Sequence, residues 1–238
     1  MDALHAARDR IIVALDVPGI REAEDLVERL GDSVGFYKIG MELTYSGGLP
    51  LVNRLVKAGK RIFLDLKLHD TPNTVEMATQ RVADLGATFL TVHAYPQTMI
   101  AALKGCNGSP LKVLGVTVMT SMDDDDLLDA GYTVSVAELV RRRALQAQGI
   151  GLHGLICSAM DITSVREVVG TSLEIVTPGI RPAGSEFGDQ KRVVTPAMAI
   201  EAGADYLVIG RPITAVAEPR AAAESILNEI AEVRSQAA

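Results

Sequence analysis

The segment Asp65-Leu66-Lys67-Leu68-His69-Asp70 brackets an ammonium with carboxylates over a few positions. On an extended strand alternate side chains share a face, so Asp65 and Lys67 point one way and Leu66 the other. Lys38 and Asp16, at the ends of two earlier apolar runs, add a further cation and acid. Charges brought together in this way are costly to bury unless each is paired or used in a reaction. The alternative is a purely structural ion-pair network; the convergence of Asp16, Lys38 and Asp70 on Asp65 and Lys67 favours the functional reading. A second chemistry is written in Pro178-Gly179-Ile180-Arg181 and Gly210-Arg211-Pro212-Ile213. Two loops that combine glycine with arginine suit a phosphate: guanidinium forks onto its oxygens, and backbone N–H groups at a short helix start add to the grip. Gln190 is a further side-chain donor.

Other polar residues read more plainly. His93 ends an apolar run and is expected to be a hydrogen-bonded wall residue. His69 and His153 show no metal-ligand spacing. Asp123–Asp126 reads as a solvated loop and helix start, Arg141–Arg143 as a solvated helix face, and Cys157 as core.

The elements that must position these groups follow from alternation. Eight short aliphatic runs recur: Ile11–Leu15, Phe36–Ile39, Ile62–Leu66, Phe89–Val92, Val113–Val118, Gly154–Cys157, Leu173–Val176 and Tyr206–Ile209. Runs without polar alternation predict strands buried on both faces, as in a parallel sheet covered by helices. Amphipathic segments lie between them, and Gly31, Gly59, Gly86, Gly149, Gly170 and Gly203 are expected helix stops. The pattern predicts an α/β fold, a single (β/α)8 TIM barrel formed by residues 1–238 as one domain. An open doubly wound sheet is the runner-up, but no G-x-G-x-x-G follows the first strand. In the barrel the C-terminal strand ends build the site, which is where Asp16, Lys38, Asp65, Lys67, His93, Thr120, Ser158, Thr177 and Arg211 fall. The longest intervals follow strands five and seven, making 121–133 and 178–190 candidate ligand loops.

Composition bounds the partners. Hydrophobic residues are 48% and charged residues 22%, as in a globular protein. Aromatics are only 4%, which predicts an aliphatic core. A net charge of −7 argues against nucleic-acid or anionic-membrane binding, so an anion would be held by local cations. Two cysteines do not make a disulfide scaffold. Met1–Arg10 is charged and no apolar run approaches a membrane span, so a cytoplasmic location is expected.

Taken together, Asp65-Leu-Lys-Leu-His-Asp-Thr-Pro-Asn-Thr74, Ala14-Leu-Asp16, Tyr37-Lys38-Ile-Gly40, Val118-Met-Thr120-Ser121, the Pro178–Arg181 loop, Gly188-Asp-Gln190 and Ile209-Gly-Arg211 resemble the orotidine 5′-phosphate decarboxylase family. The resemblance spans residues 11 to 213. It implies a cofactor-free and metal-free loss of CO2 from orotidine 5′-monophosphate, giving uridine 5′-monophosphate in pyrimidine nucleotide synthesis. By resemblance, Lys67 is the catalytic lysine, within a tetrad of Lys38, Asp65, Lys67 and Asp70. A homodimer is implied, with Asp70 reaching the partner's site, and Thr71 and Thr74 are substrate-binding positions beside it. Asp16 and Lys38 match ribose contacts, and Thr120 and Ser121 match the pyrimidine stretch. Pro178, Arg181, Gln190, Gly210 and Arg211 match phosphate binding. Thr71 departs from the isoleucine usual in the family. Two rivals are a magnesium-dependent sugar-phosphate aldolase or decarboxylase of the same barrel group, and a non-catalytic nucleotide-binding barrel.

Overall fold

Eight parallel strands form in the order in which their apolar runs occur. They are β1 (Ile11–Ala14), β2 (Phe36–Gly40), β3 (Arg61–Leu68), β4 (Phe89–His93), β5 (Lys112–Val116), β6 (Gly154–Ile156), β7 (Glu174–Thr177) and β8 (Tyr206–Ile209). Each pairs with its neighbour in sequence, and β8 pairs with β1, closing the barrel. The computed structural model describes residues 3–182 and 194–236. The open-sheet alternative is thereby excluded.

Two apolar layers result from the strand alternation. Residues facing outward, such as Ile11, Val13, Ile39 and Leu64, pack under the helices. Those facing inward fill the barrel: Ile12, Phe36, Phe63, Phe89, Leu114 and Val208 among others. The core is mostly aliphatic, as expected, except at the centre of the barrel. Phe36, Phe63 and Phe89 all stand in the barrel interior, each at most 1% exposed. The Phe36 and Phe89 rings are 5.2 Å apart, the Phe63 and Phe89 rings 6.0 Å, and Tyr206 meets Phe89 edge-on at 5.2 Å. Few aromatics suffice because each such ring, fully buried, contributes about 1.5–3 kcal/mol and fills the wide centre of the barrel.

The helices of the repeat are Ile20–Leu30, Leu49–Lys57, Pro72–Asp84, Pro96–Cys106, Val136–Ile150, Ile162–Val169, Pro196–Glu201 and Pro219–Gln236. Gly149 does not stop its helix: the segment runs on to Ile150, and Gly151 takes the left-handed turn at φ 78°. Either glycine suits a helix end, and the chain uses the later one. Asp123 caps the short helix Asp124–Asp129 in a capping box with Asp126, as the solvated-loop reading expects. No helix among the described residues is long and apolar enough to cross a membrane.

The solvated reading of Arg141–Arg143 fails at one of the three. Arg143 is buried, 7% exposed. Its guanidinium donates to the Thr117 carbonyl and the Tyr132 hydroxyl and lies 4.6 Å over the Tyr95 ring. Helix Val136–Ile150 turns this arginine inward, where aromatic faces and a carbonyl compensate its charge.

Candidate active site

Along β2 and β3 the inward row changes from aromatic to charged within two residues. Phe36 is followed by Lys38, and Phe63 by Asp65, so the charges rest directly on the phenylalanine floor. Lys38 Nζ donates to Asp16 Oδ1 at 2.8 Å and lies 3.7 Å from Asp65 Oδ2. Lys67 Nζ donates to Asp65 Oδ1 at 2.8 Å. Acid and ammonium thus alternate as Asp16, Lys38, Asp65, Lys67. The ammonium of Lys38 stands between the Asp16 and Asp65 carboxylates.

β3 is not regular where it matters. Its pairing with β4 runs Leu64↔Leu90 and then Leu68↔Val92, so three β3 residues stand opposite Thr91 alone. Lys67 takes up the irregularity with φ 48°, the one left-handed backbone among the described non-glycine residues. Such a conformation costs on the order of 1–2 kcal/mol in a residue with a Cβ. Strand alternation places Asp65 and Lys67 on one face, and the structure does bring both into one cavity, but through a bulge.

Burial alone would raise the Asp65 pKa; the nearby Lys38 and Lys67 charges, with hydrogen bonds from Lys67 and Thr91, bring it below the ordinary 3.8. Its folded value lies below its unfolded one. Asp65 therefore contributes stability above the ordinary carboxylate value, and that contribution is lost as pH falls through the folded value. Thermal melts should show it: the parent's melting temperature should fall more steeply between about pH 5 and pH 3 than that of Asp65→Asn. Parallel curves would contradict this account.

A cavity of about 540 Å³ opens over this array. Asp16, Lys38, Asp65 and Lys67 line one side, and Pro178, Gly179, Arg181, Gly210 and Arg211 the other, with Thr120 and Ser121 between. Arg181 is 6% exposed and donates to its neighbour's carbonyl, Ile180 O, at 3.0 Å. Arg211 opens the short helix Arg211–Thr214 after Gly210. The charge array and the two arginines thus occupy one arc of the barrel, running β7–β8–β1–β2–β3. β5 and β6 with their loops complete the wall with neutral side chains: Val116, Val118, Met119 and Ile156 beside Thr120 and Ser121. Gly40 is constrained by the array, since a Cβ there would stand 3.1 Å from Asp16 Oδ1 and 3.2 Å from Lys38 Nζ.

Asp70, Thr71 and Thr74 are not among the lining residues. All three are exposed. Asp70 accepts the Thr71 N–H at 2.6 Å, and the Thr71 and Thr74 hydroxyls meet at 3.0 Å. The Thr71 N–H bond, backed by the Thr71 and Thr74 side chains, holds the Asp70 carboxyl below its usual range. Gln190, Gly188 and the loop up to it lie outside the described residues.

Several predicted positions prove peripheral. His93 is half-buried against His69 and Tyr95, and burial lowers its pKa, which suits a neutral wall residue. Ser158 lines a neighbouring cavity of about 460 Å³ that shares Thr120 and Ser121 with the first. Thr177 is fully buried and lines neither cavity. Burial pushes the Cys157 thiol up to about 12, so it is core and not a nucleophile. Two contributors escape sequence reading: Thr214, which lines the arginine side of the cavity, and Thr91, which contacts both Asp65 and Lys67.

The chain is similar in sequence and fold to known proteins. The model of the family described as "Orotidine 5′-phosphate decarboxylase / HUMPS" matches residues 9–226. An orotidine 5′-phosphate decarboxylase of a Bradyrhizobium species is 63% identical over 226 residues, covering 95% of this chain and 93% of its own. The enzyme of that name from Rhodopseudomonas palustris is 59% identical over 227 residues, covering 95% and 96%. The crystal structure of orotidine 5′-phosphate decarboxylase from Lactobacillus acidophilus superposes with a TM-score of 0.83 at 40% identity, covering 93% of this chain and 99% of that one. By the match of its sequence along nearly its whole length, this chain belongs to the orotidine 5′-phosphate decarboxylase family.

Proposed function

We propose that the 540 Å³ cavity carries out the family's lyase reaction, with Lys67 as its acid. The chain decarboxylates orotidine 5′-monophosphate to uridine 5′-monophosphate and CO2. The bond from C6 to the carboxylate breaks, and its electron pair remains on C6 in the plane of the ring. The π system cannot accept that pair, so the surroundings must stabilise it. The Lys67 ammonium does so by facing C6, and it then transfers a proton to that carbon. The resulting neutral amine recovers its proton from solvent after UMP leaves. Asp65 keeps Lys67 charged and aimed, and the Lys38 ammonium beside it helps keep that carboxylate ionised. The observation that carries this reading is the 2.8 Å contact of Lys67 Nζ with Asp65 inside a cavity that also exposes two arginines.

Arg181, Arg211 and Gly210, with Pro178, bind the 5′-phosphate across the cavity from C6, and Gln190, outside the described residues, is assigned to the same phosphate. Asp16 and Lys38 bind the ribose hydroxyls, and Thr120 and Ser121 the pyrimidine. Arg211→Ala should lower kcat/KM by roughly 10- to 150-fold, the worth of about 1.5–3 kcal/mol for a hydrogen bond to a charged group. An unchanged kcat/KM in steady-state assays would remove Arg211 from the grip.

Asp70, with Thr71 and Thr74, serves the neighbouring subunit in a homodimer. Its ionised, exposed carboxylate, held at the start of helix Pro72–Asp84 outside its own cavity, supports this. Threonine in place of the usual isoleucine at 71 makes that neighbour's wall more polar. A cytoplasmic location belongs to the same reading, and the two free, buried cysteines fit a reducing compartment.

The deciding experiment is an ultraviolet assay of orotidine monophosphate loss, with and without EDTA. Turnover that survives chelation supports the reading. UMP binding without turnover would favour the nucleotide-binding barrel, and turnover abolished by EDTA would favour the magnesium-dependent rival.

A further inference from the structure

Thr91 sits at the middle of β4, fully buried. Its hydroxyl accepts the Lys67 backbone N–H at 3.0 Å and donates to Asp65 Oδ1 at 2.8 Å. That same carboxylate oxygen accepts Lys67 Nζ at 2.8 Å. The contacts close a ring: Lys67 N–H to Thr91, Thr91 to Asp65, and Lys67 Nζ to Asp65. The single hydroxyl proton is committed to Asp65, so the direction of every bond in the ring is fixed.

The ring has a structural reason. Where β3 bulges, Lys67 stands between the paired positions Leu64↔Leu90 and Leu68↔Val92. There the Thr91 hydroxyl accepts its N–H. The left-handed conformation of Lys67 persists only where surroundings over-determine it. Thr91 supplies such a constraint at the backbone and, through Asp65, at the far end of the same side chain.

We infer that Thr91 is a positioning residue that fixes both ends of Lys67, the backbone N–H directly and the ammonium by way of Asp65. The inference rests on the reading of Lys67 as the proton donor to C6. Valine matches threonine in shape but neither accepts nor donates, so Thr91→Val leaves the Lys67 N–H without its partner and Asp65 with one donor fewer. Thr91→Ser keeps the hydroxyl.

The test uses the full chain with orotidine monophosphate as substrate and UMP as the binding probe. Thr91→Val should lose about 100-fold in kcat, the scale of a displacement near 1 Å at the reacting group. KM and the UMP Kd should stay at parental values, because the phosphate and ribose contacts are untouched. Thr91→Ser should restore most of the turnover. Parental kcat in Thr91→Val, a KM that rises as kcat falls, or a serine variant as slow as the valine one would each overturn the inference. If Thr91→Val does not fold, the series Thr91→Ser, Thr91→Cys and Thr91→Ala replaces it. Turnover should then follow hydrogen-bonding capacity at constant KM, and a series that is flat or ordered by size overturns the proposal. A parent enzyme without turnover in the same assay would instead sink the functional reading itself.

Discussion

Lys67→Ala is expected to lose at least about 10⁴-fold in kcat while still binding UMP. Two roles end together. Removing a preorganised group that faces developing charge costs about 10²–10³, and removing a positioned proton donor costs about 10²–10⁴. The product carries neither the departing carboxylate nor charge at C6, so its affinity rests on groups that alanine leaves in place. Arg181 and Arg211 hold the opposite side of the cavity, and Asp16 and Lys38 keep their 2.8 Å pair. Alanine at φ 48° is as constrained as lysine, so relief of the backbone does not confound the comparison. Single-turnover decarboxylation and UMP titration by calorimetry make the measurement. A kcat within about tenfold of the parent would end the assignment of Lys67.

The second large effect concerns Asp70. Alone, Asp70→Ala should retain less than about 1% of turnover, as for loss of one electrostatic contact at the reacting centre. Mixed in equal amounts with Lys67→Ala chains, it should regain activity. In the proposed two-fold dimer each site would take Lys67 from one chain and Asp70 from the other. A mixed dimer then has one site with both groups intact and one with neither. Random exchange makes half the dimers mixed, so about a quarter of parental sites return. Activity that stays at the sum of the two variants, in a sample shown by mass spectrometry to contain mixed dimers, would contradict the shared site. Asp70 is exposed and is not among the residues that line the 540 Å³ cavity of its own chain, which makes the complementation test informative.

What the sequence discloses, and what it hides, follows from side-chain chemistry. Lys38, Asp65 and Lys67 announce themselves because a charge at the end of an apolar strand has few structural uses. Arg181 and Arg211 are legible through the glycines beside them. The barrel follows from eight unalternating apolar runs, and strand closure in sequence order adds nothing to that pattern. Thr91 is hidden because threonine is favoured in strands for its branched shape, and nothing in Leu90-Thr91-Val92 separates a packing residue from a hydrogen-bonding one. The bulge at Lys67 is equally silent, since the residue that takes φ 48° is not a glycine. Arg143 looks solvated beside Arg141 and Arg142; its burial depends on Tyr95 and Tyr132, which meet it only in three dimensions. A 4% aromatic content counts phenylalanines but says nothing of their concentration at the barrel's centre.

The neutral sector contributed by β5, β6 and their loops separates two tasks. Every ionic group and both guanidinium loops belong to the other strands of the wall. On the proposed assignment of the cavity, substitutions at Val118, Met119, Thr120 or Ser121 would change which heterocycle is admitted while the proposed phosphate-binding arginines and Lys67 stay in register. For an evolving lineage, or for an engineer seeking a new base specificity, that sector is the adjustable jaw of the clamp and the remaining arc is its fixed one.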